Sequence, residues 1–160
     1  MENINIFLWI IFILFVSCNS YSNQNNDLID NDALSLALEE IYEGNIDSDD
    51  IVLIIPNAGC PGCISSCEEF MILNSGLHDN NIHFILTSFK SLKQLNIKIG
   101  SDVLNNKDVY LDKSSIIGKY GITSIYPIVV FINNNDNFEV EFVSPENPQV
   151  FDKILERLNL

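Results

Sequence analysis

Basic side chains are scarce in this sequence. Its 160 residues include 8 lysines and arginines against 22 aspartates and glutamates, which gives a formal net charge of −14 at pH 7. Nucleic acids and anionic lipid surfaces are both bound largely through lysine and arginine. The composition therefore argues against a nucleic-acid-binding protein, and against attachment to a membrane through charge.

Histidine is scarcer still, with two residues in the whole chain. His78 lies in a polar stretch and His83 in an apolar run, and neither has metal-ligand spacing to the cysteines. The closely spaced Cys60, Cys63 and Cys67 do not resemble a zinc knuckle. We therefore predict that the protein holds no metal, and we expect it to need no soluble cofactor.

The N-terminus has an apolar run, but a short one. Residues 4–16 are almost entirely apolar, which is too short to cross a bilayer comfortably, and the small residue Ser17 follows them. This pattern predicts a secretory signal peptide over residues 1–17. Directly after it, Cys18 resembles the acylated residue of a bacterial lipobox, although the first three residues lack the usual positive charge.

The lipobox resemblance implies an exported lipoprotein, anchored to a membrane through lipid on Cys18 and facing the periplasm. Residues 18–31 are mostly Ser, Asn, Gln and Asp, and they predict a flexible tether. The alternatives are an uncleaved membrane anchor and a cleaved signal that leaves Cys18 unmodified. Export would place the remaining cysteines where disulfides persist.

Residues 32–160 are enough for one domain with a buried core. Removing residues 1–17 removes one charged residue, Glu2, so 8 basic and 21 acidic side chains remain, a net charge of about −13. We expect this domain to be a monomer.

Strands and helices alternate along the domain. Apolar or alternating runs predict strands at residues 51–55, 81–87, 109–111, 128–132 and 138–142. Apolar spacing and capping residues predict helices at residues 32–44 with Asp32 as the cap, 60–73, 112–120 and 148–158, and a weaker helix or an irregular segment at residues 88–99. This order indicates an α/β fold, with a central mixed β-sheet flanked by helices on both faces.

The sequence Cys60-Pro61-Gly62-Cys63 stands where the second helix begins, just after an apolar strand. At that place Cys60 would face unpaired N–H groups and the positive end of the helix dipole. Both favour a thiolate, so we expect the pKa of Cys60 to fall below the free value of about 8.5. Pro61 suits the first helical turn, and Cys63 lies one turn away, within disulfide reach of Cys60.

The order of strand, loop, Cys-x-x-Cys and helix resembles the thioredoxin-like superfamily. A second segment, in which Tyr126 and Pro127 precede the strand at residues 128–132, is similar to the cis-proline loop of that family. The resemblance covers residues 51–160 and implies a thioredoxin-like three-layer fold. It also implies a cis bond before Pro127, with Pro127 beside the dithiol and the backbone of Tyr126 free to bind an extended substrate.

Two positions depart from the family pattern. Ile54 stands where thioredoxins usually have a buried carboxylate, and Gly59 stands where they usually have tryptophan. These departures leave undetermined the rate and the direction of any thiol–disulfide exchange that the resemblance implies.

The resemblance implies a thiol–disulfide oxidoreductase with Cys60 and Cys63 as catalytic residues and Tyr126 and Pro127 as substrate-binding residues. Its partners would be a protein thiol or disulfide and a membrane electron donor. A purely structural disulfide is a poor explanation, because a loop this small constrains little of the unfolded chain. The alternatives are a non-catalytic thioredoxin-fold binding module and, less favoured, a metal carrier.

Cys67 shares a helix face with the other two cysteines and has two interpretations. It is either a third reactive thiol or metal ligand, or a small apolar core residue. We favour the core residue, and we expect the neighbouring Glu68 and Glu69 to lie on a solvated helix surface.

Overall fold

The structure, a computed structural model, describes residues 29–77, 81–133 and 137–159. The predicted signal peptide, Cys18 and nearly all of the predicted tether lie outside these residues. Within the described ranges, no helix has the length and apolar character needed to cross a bilayer.

Five strands form one mixed sheet. They are β1 (Ile51–Pro56), β2 (Ile82–Thr87), β3 (Val109–Leu111), β4 (Ile128–Asn133) and β5 (Asn137–Phe142), arranged in the order β3-β2-β1-β4-β5. β1 and β3 both run parallel to β2, whereas β4 is antiparallel to β1 and to β5. Each strand lies within one residue of its predicted bounds.

The described residues contain six helices. They are α1 (Asn31–Tyr42), α2 (Pro61–Asn74), α3 (Leu92–Ile99), α4 (Ser101–Leu104), α5 (Ile116–Lys119) and α6 (Val150–Arg157). The cap of α1 is Asp30, whose side chain accepts a hydrogen bond of 3.0 Å from the N–H of Asp32. The prediction of Asp32 as the cap was wrong, because Asp30 has the extended backbone of a cap and Asp32 already lies in the helix.

Helices cover both faces of the sheet. The face that contains Leu53 and Phe84 packs against α2, α3 and α6. The opposite face, which contains Val52 and Ile85, packs against α1 and α5. Residues 51–55 are all buried, as expected for a central strand covered on both sides. The structure confirms the predicted α/β class and the three-layer arrangement of a central mixed sheet with helices on both faces.

The strand pairing brings two distant loops to one edge of the sheet. Ile54, near the end of β1, lies opposite Ile128 at the start of β4. The chain leaving β1 toward Cys60 and the chain entering β4 through Pro127 therefore meet at the same edge, although 67 residue numbers separate Cys60 from Pro127.

Candidate active site at the start of helix α2

Cys60 is the N-cap of α2. Its backbone is extended (φ −70°, ψ 106°), and its Sγ accepts a hydrogen bond of 3.4 Å from the backbone N–H of Cys63. Its carbonyl accepts the first helical bond, of 3.0 Å, from Ile64. Pro61 occupies the first turn, where its missing N–H is not needed. The helix start predicted from the cysteine motif is confirmed.

Cys60 and Cys63 form a disulfide, with their Cα atoms 5.4 Å apart. Cys60 is half-buried, whereas Cys63 is 8% exposed and belongs to the apolar core on the α2 face. Pro61 and Gly62 between them are exposed. The two cysteines therefore differ in exposure, with Cys60 as the outer residue, in the order expected from their places in the helix.

The segment before β4, residues 120–127 (here called the Pro127 loop), contacts the start of α2. The backbone N–H of Cys60 donates a hydrogen bond of 2.7 Å to the carbonyl of Ile125. Tyr126 packs against the same apolar cluster as Cys60, and Pro127 is buried at the start of β4. The loop thus lies beside Cys60 through the backbone of Ile125, a residue that the sequence motifs did not indicate. The position of Pro127 beside the dithiol stays a prediction.

Two expectations about the Pro127 loop were wrong. Among the described residues there is no cis peptide bond, so the bond between Tyr126 and Pro127 is trans, the form that X-Pro bonds favour by about 0.5–1 kcal/mol. The backbone N–H of Tyr126 is also not free, because it donates a hydrogen bond of 3.0 Å to Oγ of Ser124. The role of Tyr126 and Pro127 in substrate binding stays a prediction.

Cys67 is a core residue. It is fully buried on the inner face of α2, and burial raises the pKa of its thiol to about 12, with a further contribution from the negative charge of Glu68. A thiol that is buried and protonated at neutral pH is inert toward disulfides. The favoured interpretation of Cys67 is confirmed.

Glu68 corrects another expectation. It is 7% exposed and accepts a hydrogen bond of 2.7 Å from the Lys98 ammonium group on α3. Its surface is covered because α3 packs beside α2, and the ion pair compensates for the loss of water around the carboxylate. Glu69 is exposed, as expected.

Within the part of the chain that the structure describes, no group of three or more potential metal ligands is close enough to hold an ion. His83 instead lies 3.2 Å from the carboxylate of Asp50, measured from Nε2 to Oδ2. His78 lies outside the described residues. The expected absence of a metal stays a prediction.

The comparisons with known proteins give one structural similarity. No protein-family model matches the chain, and no curated protein sequence matches it. A solution structure of a candidate thioredoxin from Neisseria meningitidis superposes with a TM-score of 0.47 at 16% sequence identity, over 70% of this chain and 77% of that one.

The site therefore combines a Cys-x-x-Cys disulfide, a helix N-terminus and a neighbouring loop at one edge of the sheet. Cys60 is the more exposed of the two cysteines, and Cys63 is buried. This is an arrangement suited to thiol–disulfide exchange.

Proposed function

We propose that this protein exchanges thiols and disulfides with partner proteins through Cys60 and Cys63. The observation that carries the proposal is the position of Cys60 as the N-cap of α2, partly buried and bonded to a more deeply buried Cys63 one turn away. A cap position favours a thiolate at the outer sulfur, because the backbone N–H of Cys63 and the helix dipole both stabilise negative charge there.

In the reducing direction, the Cys60 thiolate attacks one sulfur of a partner disulfide. A bond forms between that sulfur and Cys60, and the partner's other sulfur leaves as a thiolate. Cys63 then loses its proton and attacks Sγ of Cys60, which releases the second partner thiolate and forms the Cys60–Cys63 disulfide. The partner gains two electrons and two protons, and the dithiol loses them.

The oxidised pair must then be reduced by a second dithiol. We propose that this donor is a membrane thiol–disulfide carrier, and that the protein is exported and held at the membrane by lipid on Cys18, with the domain in the periplasm. The predicted signal peptide over residues 1–17 supports this location, and the acidic composition leaves the lipid as the means of attachment.

A partner that reaches Cys60 would also contact the Pro127 loop. The side chain of Ile125 is 57% exposed, although its carbonyl is bonded to the Cys60 N–H. Tyr126 lies next to it, half-buried. We propose that Ile125, together with Tyr126 and Pro127, forms the surface against which the segment around the partner's disulfide lies.

The test is a measurement of exchange and of redox potential. The purified protein, without residues 1–17, is equilibrated in glutathione buffers, and the disulfide is quantified by alkylation and mass spectrometry. The same protein is assayed for reduction of insulin disulfides by dithiothreitol.

We expect a reversible two-electron couple at Cys60–Cys63 and turnover that is lost in Cys60→Ser and kept in Cys67→Ala. If the Cys60–Cys63 couple is reversible but insulin is reduced no faster than by dithiothreitol alone, the result would contradict exchange and favour the binding module. Stoichiometric metal in the purified protein would favour the metal carrier.

A further inference from the structure

The position directly before Cys60 has no space for a side chain. Gly59 has φ +146°, a backbone conformation that L residues rarely adopt. A Cβ atom built at this position would overlap the carbonyl oxygen, the carbonyl carbon and the Cα of Ile125. The Pro127 loop therefore occupies the volume that any larger residue at position 59 would need.

The same close approach produces a hydrogen bond. The carbonyl that a Cβ at Gly59 would displace is the acceptor, at 2.7 Å, for the backbone N–H of Cys60. As the N-cap, Cys60 has an N–H that points away from the hydrogen bonds of its own helix, so this donor needs an external partner. Ile125 supplies that partner only because residue 59 has no side chain.

We propose that Gly59 is a positioning residue for the dithiol. It lets the Ile125 carbonyl fix the backbone of Cys60, and this holds Sγ of Cys60 against the N–H of Cys63. The proposal rests on the proposed function, in which the Cys60 thiolate is the attacking group.

A side chain at position 59 would push the Pro127 loop away and break the hydrogen bond to Ile125. The cap residue would then be free to rotate, and Sγ of Cys60 would lose part of its stabilisation by the helix start. The pH at which the thiolate forms would rise toward the free value of about 8.5. The dithiol would remain, but its outer sulfur would react more slowly at neutral pH.

The test compares Gly59→Ala with two matched glycine variants. Gly44 and Gly100 also have a positive φ, of +78° and +97°, but a Cβ at either would meet nothing within 4 Å. Both lie outside the cysteine motif and the Pro127 loop, so Gly44→Ala and Gly100→Ala report backbone strain without the overlap. Each reduced protein is alkylated with iodoacetamide between pH 5 and pH 10, and labelling of Cys60 is followed by peptide mapping.

We expect Gly59→Ala to raise the pH midpoint of Cys60 labelling by about one unit, which is a roughly tenfold lower thiolate fraction at pH 7. Gly44→Ala and Gly100→Ala should keep the wild-type midpoint, although both should unfold at a lower temperature. If Gly59→Ala folds and its Cys60 is labelled with the wild-type pH midpoint, the proposal is overturned. The positioning role requires a shift in the pH profile of Cys60 labelling, whereas a purely structural role does not.

A second measurement does not depend on the variant folding. In labelled wild-type protein, a hydrogen bond from Cys60 to Ile125 produces a scalar coupling between the Cys60 nitrogen and the Ile125 carbonyl carbon. We expect this coupling in both redox states, and its absence from the reduced protein would overturn the proposal. If the wild type fails to turn over insulin but the labelling shift occurs, the proposed function fails and the positioning role stands.

Discussion

The hydroxyl of Thr87 at the end of β2 donates a hydrogen bond of 2.8 Å to the carboxylate of Asp112, which follows β3. The same carboxylate accepts hydrogen bonds from the backbone N–H groups of Ile116 at 2.7 Å and Ile117 at 3.2 Å. Asp112 is 2% exposed. One buried side chain thereby ties the ends of two parallel strands to α5, the helix that leads into the Pro127 loop.

We predict that Asp112→Ala destabilises the protein by about 3 kcal/mol, because it leaves several buried donors without an acceptor. Thr87→Val removes only one donor and should cost about 1 kcal/mol. Urea unfolding followed by circular dichroism measures both free energies. Equal effects from the two variants would contradict a capping role for Asp112.

Cys63→Ser should trap partner proteins on Cys60. The mixed disulfide still forms at the outer sulfur, but the thiol that resolves it is missing, so the complex persists. Extracts from cells that express the variant should show adducts on non-reducing gels that disappear with reductant. The double variant Cys60→Ser with Cys63→Ser is the control, and adducts that survive in it would show attachment through another residue.

Cys67→Ala should leave exchange activity unchanged. The replacement removes one buried sulfur atom and should cost about 1 kcal/mol of stability, because a small cavity replaces it. In reduced wild-type protein at pH 8, alkylation should label Cys60 and spare Cys67, whose pKa of about 12 keeps it protonated. Rapid labelling of Cys67 in the folded protein would show that its burial is transient and reopen its role as a third reactive thiol.

Asp50 should make stability depend on pH in the acid range. Burial alone would raise its pKa, but hydrogen bonds from His83 and from the backbone N–H of Asp47, with the charge of His83, outweigh burial and lower it. A lowered pKa in the folded state stabilises the protein above the unfolded value of about 3.9, and this contribution disappears as the pH falls through the folded pKa.

We therefore expect the difference in melting temperature between wild type and Asp50→Asn to shrink as the pH falls from 6 to 3. The exposed Asp102→Asn is the control, since its side chain lies in solvent. A difference that stays constant across this range would show that Asp50 does not contribute through its ionisation.

Cys18→Ser should release the domain from the membrane or leave an unprocessed precursor. One acyl chain binds a bilayer only marginally, so stable attachment requires more than one, as a lipoprotein cysteine would carry. Membrane fractionation and mass spectrometry of the mature N-terminus provide the measurement. An unmodified Cys18 in the mature protein would contradict the lipid anchor.

Much of the fold could be predicted because its signals are local. Continuous apolar runs such as residues 128–132 can only be buried strands or helices, and their lengths and flanking turns decide for strands. The start of α2 could be predicted equally well from the sequence, because Pro61 and the spacing of the cysteines favour a single helix boundary. The outer position of Cys60 followed from the geometry of that helix.

One error and one omission concern contacts between segments that are distant along the chain. Glu68 is buried because Lys98 approaches from α3, thirty residues later, and no periodicity within α2 contains that information. Ile125 contacts Cys60 through backbone atoms, so the pattern of side chains in the sequence does not predict this contact. The available signal was Gly59, because a glycine beside the motif permits close approach of another backbone.

The two edges of the described sheet have a consequence for the proposed exchange if a partner protein reaches Cys60 while it is unfolded. At one edge, β3 is only three residues long. At the other, β5 alternates apolar residues with Glu139 and Glu141, both paired with Lys153. Short and charged edges discourage the addition of foreign strands. An unfolded partner chain that is disulfide-linked to Cys60 would therefore have few strand-edge groups with which to form intermolecular β-pairs. The mixed disulfide can then be resolved and the partner released, without aggregation of the two chains.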